Sequence, residues 1–328
     1  MRWAAAMALA AAVGSASAQQ YTMKLSTSTS GDALVEWLNT FAKGVNASSG
    51  GRIKAEVYPA SQLGSIPRTI EGVALGTIEM SFNASGFYEP LEPRFAVLSA
   101  PGLFDSQEHG YKVLHDPAVR QRLSTFGAAK GVEPLTIFVP SQYVIVSHKP
   151  IKTLADFNGQ KIRVPGSPLQ IEPLKRFGAL PLSMPFGEVL PALQNRTIDG
   201  VWAGTTLFTA LKFYDIAKDM TYLPSHWAAT VPLVNRNFVK SLGPELEKIV
   251  RAEADKADEH TLKWAADDIK RSEKIWAEHG GREIHLSSAE QKRFLDESIA
   301  VTRPHLTGTP QAKEDYEAFT AAAAKYRK

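Results

Sequence analysis

Apolar and polar positions along the chain alternate in two distinct rhythms. In "YTMKLSTSTSGD" the apolar residues Tyr21, Met23 and Leu25 fall at every second position. This is the period of a half-buried strand, and it gives way to a run of small polar residues. In "ALVEWLNTFAKGVNASSGG" they fall at Leu34, Trp37, Leu38, Phe41 and Val45, the period of a helix that Ser49-Gly50-Gly51 ends. "RIKAEVYP" alternates again at Ile53, Ala55 and Val57. The opening is therefore β-α-β, a unit that favours a parallel sheet.

The scheme repeats. "TIEGVALGTIEMSFNAS" predicts a helix through Ile70 and Val73 and a strand from Ile78 to Phe82. "PLTIFVPSQYVIVSHKPI" reads as extended chain, with Pro140 marking a crossing. A short helix, a glycine turn and the strand "KIRVP" follow, then a helix and strand in "SPLQIEPLKRFGALPLSMP". "FGEVLPALQNRTIDGVWAG" gives a helix and a strand from Ile198 to Trp202. One amphipathic helix runs from near Pro244 to Gly280-Gly281, which at 1.5 Å per residue is about 50 Å and longer than one domain is wide. The pattern predicts an α/β protein of two lobes around a cleft. No low-complexity linker separates the lobes, so the chain is expected to cross between them.

Composition narrows the class. The chain has 328 residues, of which 44% are hydrophobic, enough for two domains. Its 37 basic and 34 acidic residues are interspersed, which argues against nucleic acid as a partner. It has no cysteine, hence no disulfide or thiolate chemistry. "MRWAAAMALAAAVGSASAQQ" combines Arg2, an Ala-rich apolar core and Ala16-Ser17-Ala18, the pattern of a secretory signal cleaved after Ala18. No later run reaches the roughly 18 apolar residues that span a bilayer, so a freely diffusing exported protein is expected, without membrane insertion.

Catalytic signatures are missing. The sequence contains no G-x-S-x-G elbow, P-loop, G-x-G-x-x-G or H-E-x-x-H, and its eight histidines are not paired at metal-ligand spacing. Asp267-Asp268 reads as a solvated face of the long helix. No enzyme activity, cofactor or metal is expected. Arg163 draws more attention. It stands at the carboxyl end of "KIRV", before Pro165-Gly166-Ser167-Pro168, where open α/β sheets place ligands. A guanidinium fork there matches a carboxylate in two parallel hydrogen bonds.

Six stretches in this order and spacing carry a resemblance: "YPASQLG" (58–64), "ALGTIEMSF" (74–82), "LADFNGQKIRVP" (154–165), "MPFGEVLPALQNRTIDGVWAG" (184–204), "KFYDIAKDMT" (212–221) and "LGPELEKIV" (242–250). From Tyr21 to near the C-terminus the chain resembles the solute-binding proteins of TRAP transporters (tripartite ATP-independent periplasmic transporters), dicarboxylate-binding type. The resemblance implies two α/β lobes joined by hinge strands, a long helix across both, and closure on the ligand. It implies delivery to a two-subunit membrane permease driven by an ion gradient. The expected division is a signal peptide at 1–18, one lobe of 19–140 plus about 229–268, and a second of 141–228 plus about 269–328. A monomer is expected.

Residue by residue, Arg163 falls on the family's carboxylate-binding arginine and Phe186 on an aromatic position that packs on the ligand. The loops after the first and third strands are expected to face the cleft with Ser28 and Ser85. Two departures shape the ligand. "DGVWAG" puts Trp202 and Ala203 where sialate and dicarboxylate binders often carry Glu and Asn, and Tyr143 stands where some members place a second arginine. A second carboxylate would then lack a cationic partner, whereas Tyr143, Phe186 and Trp202 could enclose a flat ring. The expected ligand is an aromatic or otherwise apolar monocarboxylate; the alternative is a C4-dicarboxylate. A receptor feeding a sensor kinase and a secreted enzyme are the competing roles.

Overall fold

A computed structural model describes residues 21–327; the signal sequence expected at 1–18 lies outside them. Eleven strands form two sheets: β1 (Tyr21–Ser26), β2 (Ile53–Tyr58), β3 (Met80–Ala84), β4 (Val132–Pro134), β5 (Gln142–Ser147), β6 (Lys161–Val164), β7 (Leu180–Ser183), β8 (Gly200–Gly204), β9 (Asp219–Trp227), β10 (Thr230–Asn235) and β11 (Arg282–His285). The first sheet has the order β2-β1-β3-β10-β4, and the second β11-β9-β5-β8-β6-β7. In the first, β1 runs parallel to β2 and β3, while β10 lies antiparallel to β3 and β4. In the second, β6 is parallel to β7 and β8, and β5 is antiparallel to β8 and β9.

The strand β10 belongs to the first sheet although its predecessor β9 belongs to the second. The chain thus crosses at 135–141 and returns at 228–229. The two crossings pair with each other: Phe138 and Thr230 exchange N–H···O bonds of 2.9 and 2.7 Å, and the Ala228 N–H donates to the Ser141 carbonyl at 3.0 Å. Two short extended segments joined this way make a natural hinge.

The long helix covers Gly243–Glu278, 36 residues or about 54 Å. Near its start it packs on the helix Ala33–Ser48, where the Trp37 indole N–H donates to Asp258 at 2.6 Å and the Ser48 hydroxyl to Glu253 at 2.9 Å. Gly44 permits this approach, since a Cβ there would sit 2.1 Å from the Glu253 carboxylate. Towards its end Trp276 lies edge-on to Tyr214, and Thr209, in the helix following β8, donates to the Ser272 carbonyl at 3.3 Å. The helix therefore spans both sheets.

Two expectations shift. Strand ends move by two residues, β3 closing at Ala84 and β8 at Gly204. Alternation records burial, whereas the strand ends where ladder hydrogen bonds end, and Ile198 is buried without pairing. The assignment of 269–328 wholly to the second lobe also changes. The helix Ser288–Thr307 packs on Pro168–Arg176, but the last helix, Pro310–Tyr326, returns to the first sheet's side. There Asp315 pairs with Arg94 at 2.6 Å and Arg122 at 3.0 Å, and Lys325 with Asp116 at 2.8 Å. Among the described residues no helix is long and apolar enough to cross a membrane.

Candidate functional site

The carboxyl ends of β3, β6 and β8 converge on a cavity between the sheets, about 650 Å³ counting the part open to solvent. The first sheet's side contributes Ser28, Asp32, Asn83 and Phe87, and the second Tyr143, Arg163, Gln170, Phe186 and Ala203. A site of this kind, concave, mostly apolar and with a few polar groups, suits a small molecule.

Arg163 occupies the centre. Lys161, on the same face of β6, is exposed at the strand's start, whereas Arg163 at its end is 2% exposed. Its Nε and Nη2 both donate to the Met184 carbonyl, at 3.1 and 2.8 Å. Phe87 and Phe186 flank it, ring centroids 5.6 and 5.4 Å from the guanidinium carbon, one from each sheet's side. Burial pushes its pKa down to about 9. It forms no ion pair with any described residue. A fixed, desolvated guanidinium without a counter-charge can receive an anion, since an isolated buried charge is costly.

Tyr143, at the start of β5, is buried, and burial pushes its phenol up, so it stays a neutral hydroxyl. Trp202 lines the same cavity. It is fully buried, edge-on to Tyr143 at 6.1 Å and packed near Phe294 and His226. Phe87 and Phe186 flank the guanidinium, and Tyr143 and Trp202 add to the aromatic lining of the cavity. Ser28 and Ala203 line it as expected. Ser85 does not: it is fully buried in a 3-10 turn after β3, and its hydroxyl pairs with Ser99 at 3.0 Å.

Sequence reasoning missed Asp32, Asn83, Phe87 and Gln170. Asp32 caps the helix Ala33–Ser48, accepting from the Val35 N–H at 3.2 Å and the Thr29 hydroxyl at 2.8 Å. An acid just before an apolar helical period is a capping signal, but nothing in the sequence marks it as facing a cavity. Asp268, expected on a solvated face, has a largely buried side chain, and its charge helps push Asp32 up.

Beside the cavity the two sides touch. The Ser167 hydroxyl donates to Glu89 at 2.6 Å, and a Cβ on Gly86 would meet the Ser167 Cβ at 3.1 Å. The arrangement described is thus a closed one, with a ligand site walled from both sides.

Fold and cavity define a two-lobed solute-binding protein, and comparison with known proteins agrees. The model of the bacterial extracellular solute-binding protein family 7 matches residues 26–307, and the chain belongs to that family. The 2,3-diketo-L-gulonate-binding periplasmic protein of Escherichia coli is 32% identical over 222 residues, 67% of each chain. The ectoine-binding periplasmic protein of Halomonas elongata is 27% identical, covering 63% of this chain and 61% of that one. Among solved structures, a TRAP solute-binding protein of Desulfovibrio salexigens with bound orotic acid superposes with a TM-score of 0.89 at 22% identity, covering 94% of this chain and all of that one. The sugar acid binding protein of Advenella mimigardefordensis, in complex with galactonate, gives 0.87 at 22% identity, over 93% and 98%. Proteins of this family bind small molecules and work with TRAP permeases.

Proposed function

We propose that this chain is the extracytoplasmic receptor of a TRAP transporter. It is exported with cleavage after Ala18, binds a small monocarboxylate with a flat, apolar body as a monomer, and delivers it to the membrane permease. The observation that carries this reading is Arg163, buried, oriented by Met184 and without a counter-charge, between two aromatic rings in an interlobe cavity. Each charge-assisted hydrogen bond to a carboxylate contributes about 1.5 to 3 kcal/mol, a sizeable share of the roughly 8 kcal/mol of a micromolar complex. Phe87 and Phe186 favour a planar body edge-on or offset to them.

The ligand class is tested by titration calorimetry of the mature chain with aromatic monocarboxylates, succinate, malate and fumarate. Binding of aromatic acids in preference to dicarboxylates supports it. Tight binding of a dicarboxylate with none of an aromatic acid overturns it, while leaving Arg163 as the anchor.

A further inference from the structure

Among the residues that line the cavity, two carry a formal charge: Arg163 and Asp32. Their signs are opposite, they come from opposite sides of the cleft, and both are almost wholly buried, at 2% and 4% exposure. Neither forms an ion pair with the other or with any other described residue. A guanidinium and a carboxylate on opposite sides of one mostly apolar cavity each lack a counter-charge, and a single ligand can supply both. We propose that Asp32 is a second recognition point and that the ligand is a zwitterion. Its carboxylate meets Arg163, and an ammonium-type cation at the other end of its body meets Asp32. The inference rests on the reading of Arg163 given above.

The hydrogen-bond inventory of the two sides supports this polarity. On the Asp32 side the hydroxyl donors are already spent. Ser28 donates to Asn83 at 3.1 Å, Thr29 donates to Asp32, and one Asn83 amide hydrogen goes to Ser81 at 2.9 Å. Beyond the second Asn83 amide hydrogen, what this side turns to the cavity is acceptor capacity, chiefly the Asp32 carboxylate. On the Arg163 side, by contrast, the Gln170 amide nitrogen is buried and has no partner among the described residues. An anionic group is therefore served by the second sheet's side, and a donor-bearing cation by the first.

Asp32 has partial compensation as the cap of its helix, whose N-terminus carries about half a positive charge. That does not neutralise it. Its other contacts are neutral donors, and the charge that acts on it is another acid, Asp268 of the long helix, itself paired with Arg271 at 3.1 Å. Burial, with Asp268 adding to it, pushes Asp32 up to about 6, so at pH 7.5 the group is ionised and short of positive charge. A second carboxylate on the ligand would face this acid directly.

The test uses the mature chain and benzoates of one shape, as meta and para isomers: benzoate, (hydroxymethyl)benzoate, (aminomethyl)benzoate and the dicarboxylate. Calorimetry at pH 7.5 should show an aminomethyl isomer binding at least tenfold tighter than its hydroxymethyl counterpart, with the dicarboxylate weakest. Asp32→Asn should reduce that preference to within about twofold. Asp32→Ser should do the same, and because both residues cap helices, the melting temperature distinguishes lost recognition from lost folding. Equal binding of the hydroxymethyl and aminomethyl compounds, or a tenfold preference that survives Asp32→Asn, overturns the proposal and leaves Arg163 untouched. Failure of every benzoate to bind the wild type overturns the flat, apolar ligand class proposed above and this inference with it.

Discussion

Ser167 donates a 2.6 Å hydrogen bond to Glu89, and the two residues belong to opposite sides of the cleft. Ser167 caps the helix Pro168–Arg176 that follows β6, and Glu89 lies in the turns after β3. Both are buried in the closed form, and burial pushes Glu89 up to about 8. Opening would return Glu89 to water, where a glutamate titrates near 4.3. The closed form therefore binds a proton more tightly than the open one. Closure is favoured below the closed-state value and weakened as pH rises through it.

Affinity for a carboxylate ligand should accordingly rise as pH falls from 9 to 6, by at most tenfold per unit. Other ionisable groups lie nearby: Tyr143, whose phenol senses Glu89, His305, which lines a surface hollow with it, and the cavity's own Arg163 and Asp32. Calorimetry across this range on wild type and Glu89→Gln separates their effects. The glutamine variant should bind with a shallower pH profile, keeping only the slope that Arg163 and Asp32 supply; a slope equal to that of wild type would exclude Glu89 as its source.

Closure itself should be visible in solution. The crossings at 135–141 and 228–229 are short and paired through Phe138 and Thr230, so the lobes can rotate about them without unfolding. Small-angle scattering should give a smaller radius of gyration at saturating ligand than without it. Superimposable curves would mean a rigid pocket.

Phe87 and Phe186 should contribute comparably, since their rings stand at nearly equal distances from the Arg163 guanidinium. Replacing either with leucine should weaken ligand binding by about 1 kcal/mol, or roughly fivefold, through lost ring contacts with the guanidinium and ligand. An unchanged dissociation constant for Phe87→Leu would remove it from the site.

Much of this arrangement was legible in the chain before any coordinates. Periodicity revealed the β-α-β opening, the long helix and the Pro140 crossing because each depends on local burial or local backbone restriction. Arg163 stood out because a strand, a cation and a Pro-Gly-Ser-Pro turn coincide. Phe87, Gln170 and Asp32 were hidden for a common reason: each enters the cavity from a separate element, and only tertiary packing brings them near Arg163. The face Trp202 takes was not legible either, because strand register decides which way a ring turns. The last helix returns to the first sheet's side through Asp315 and Lys325, and amphipathicity does not name the partner a helix will choose.

Export makes a separate prediction. Arg2, the Ala-rich stretch and Ala16-Ser17-Ala18 place cleavage before Gln19. Intact-mass measurement on periplasmic protein should give a chain beginning at Gln19. A chain retaining Met1 in that fraction would contradict it.

The central claim is that Arg163 anchors the ligand carboxylate, and titration calorimetry of Arg163→Ala and Arg163→Lys against the best-binding acid tests it most directly. The alanine variant should lose about 2 to 5 kcal/mol of binding, a loss large enough to take a micromolar ligand to the edge of detection. Lysine, which keeps the charge but not the fork held by Met184, should recover only part of it. A folded Arg163→Ala protein that binds the acid with the wild-type dissociation constant would contradict the account.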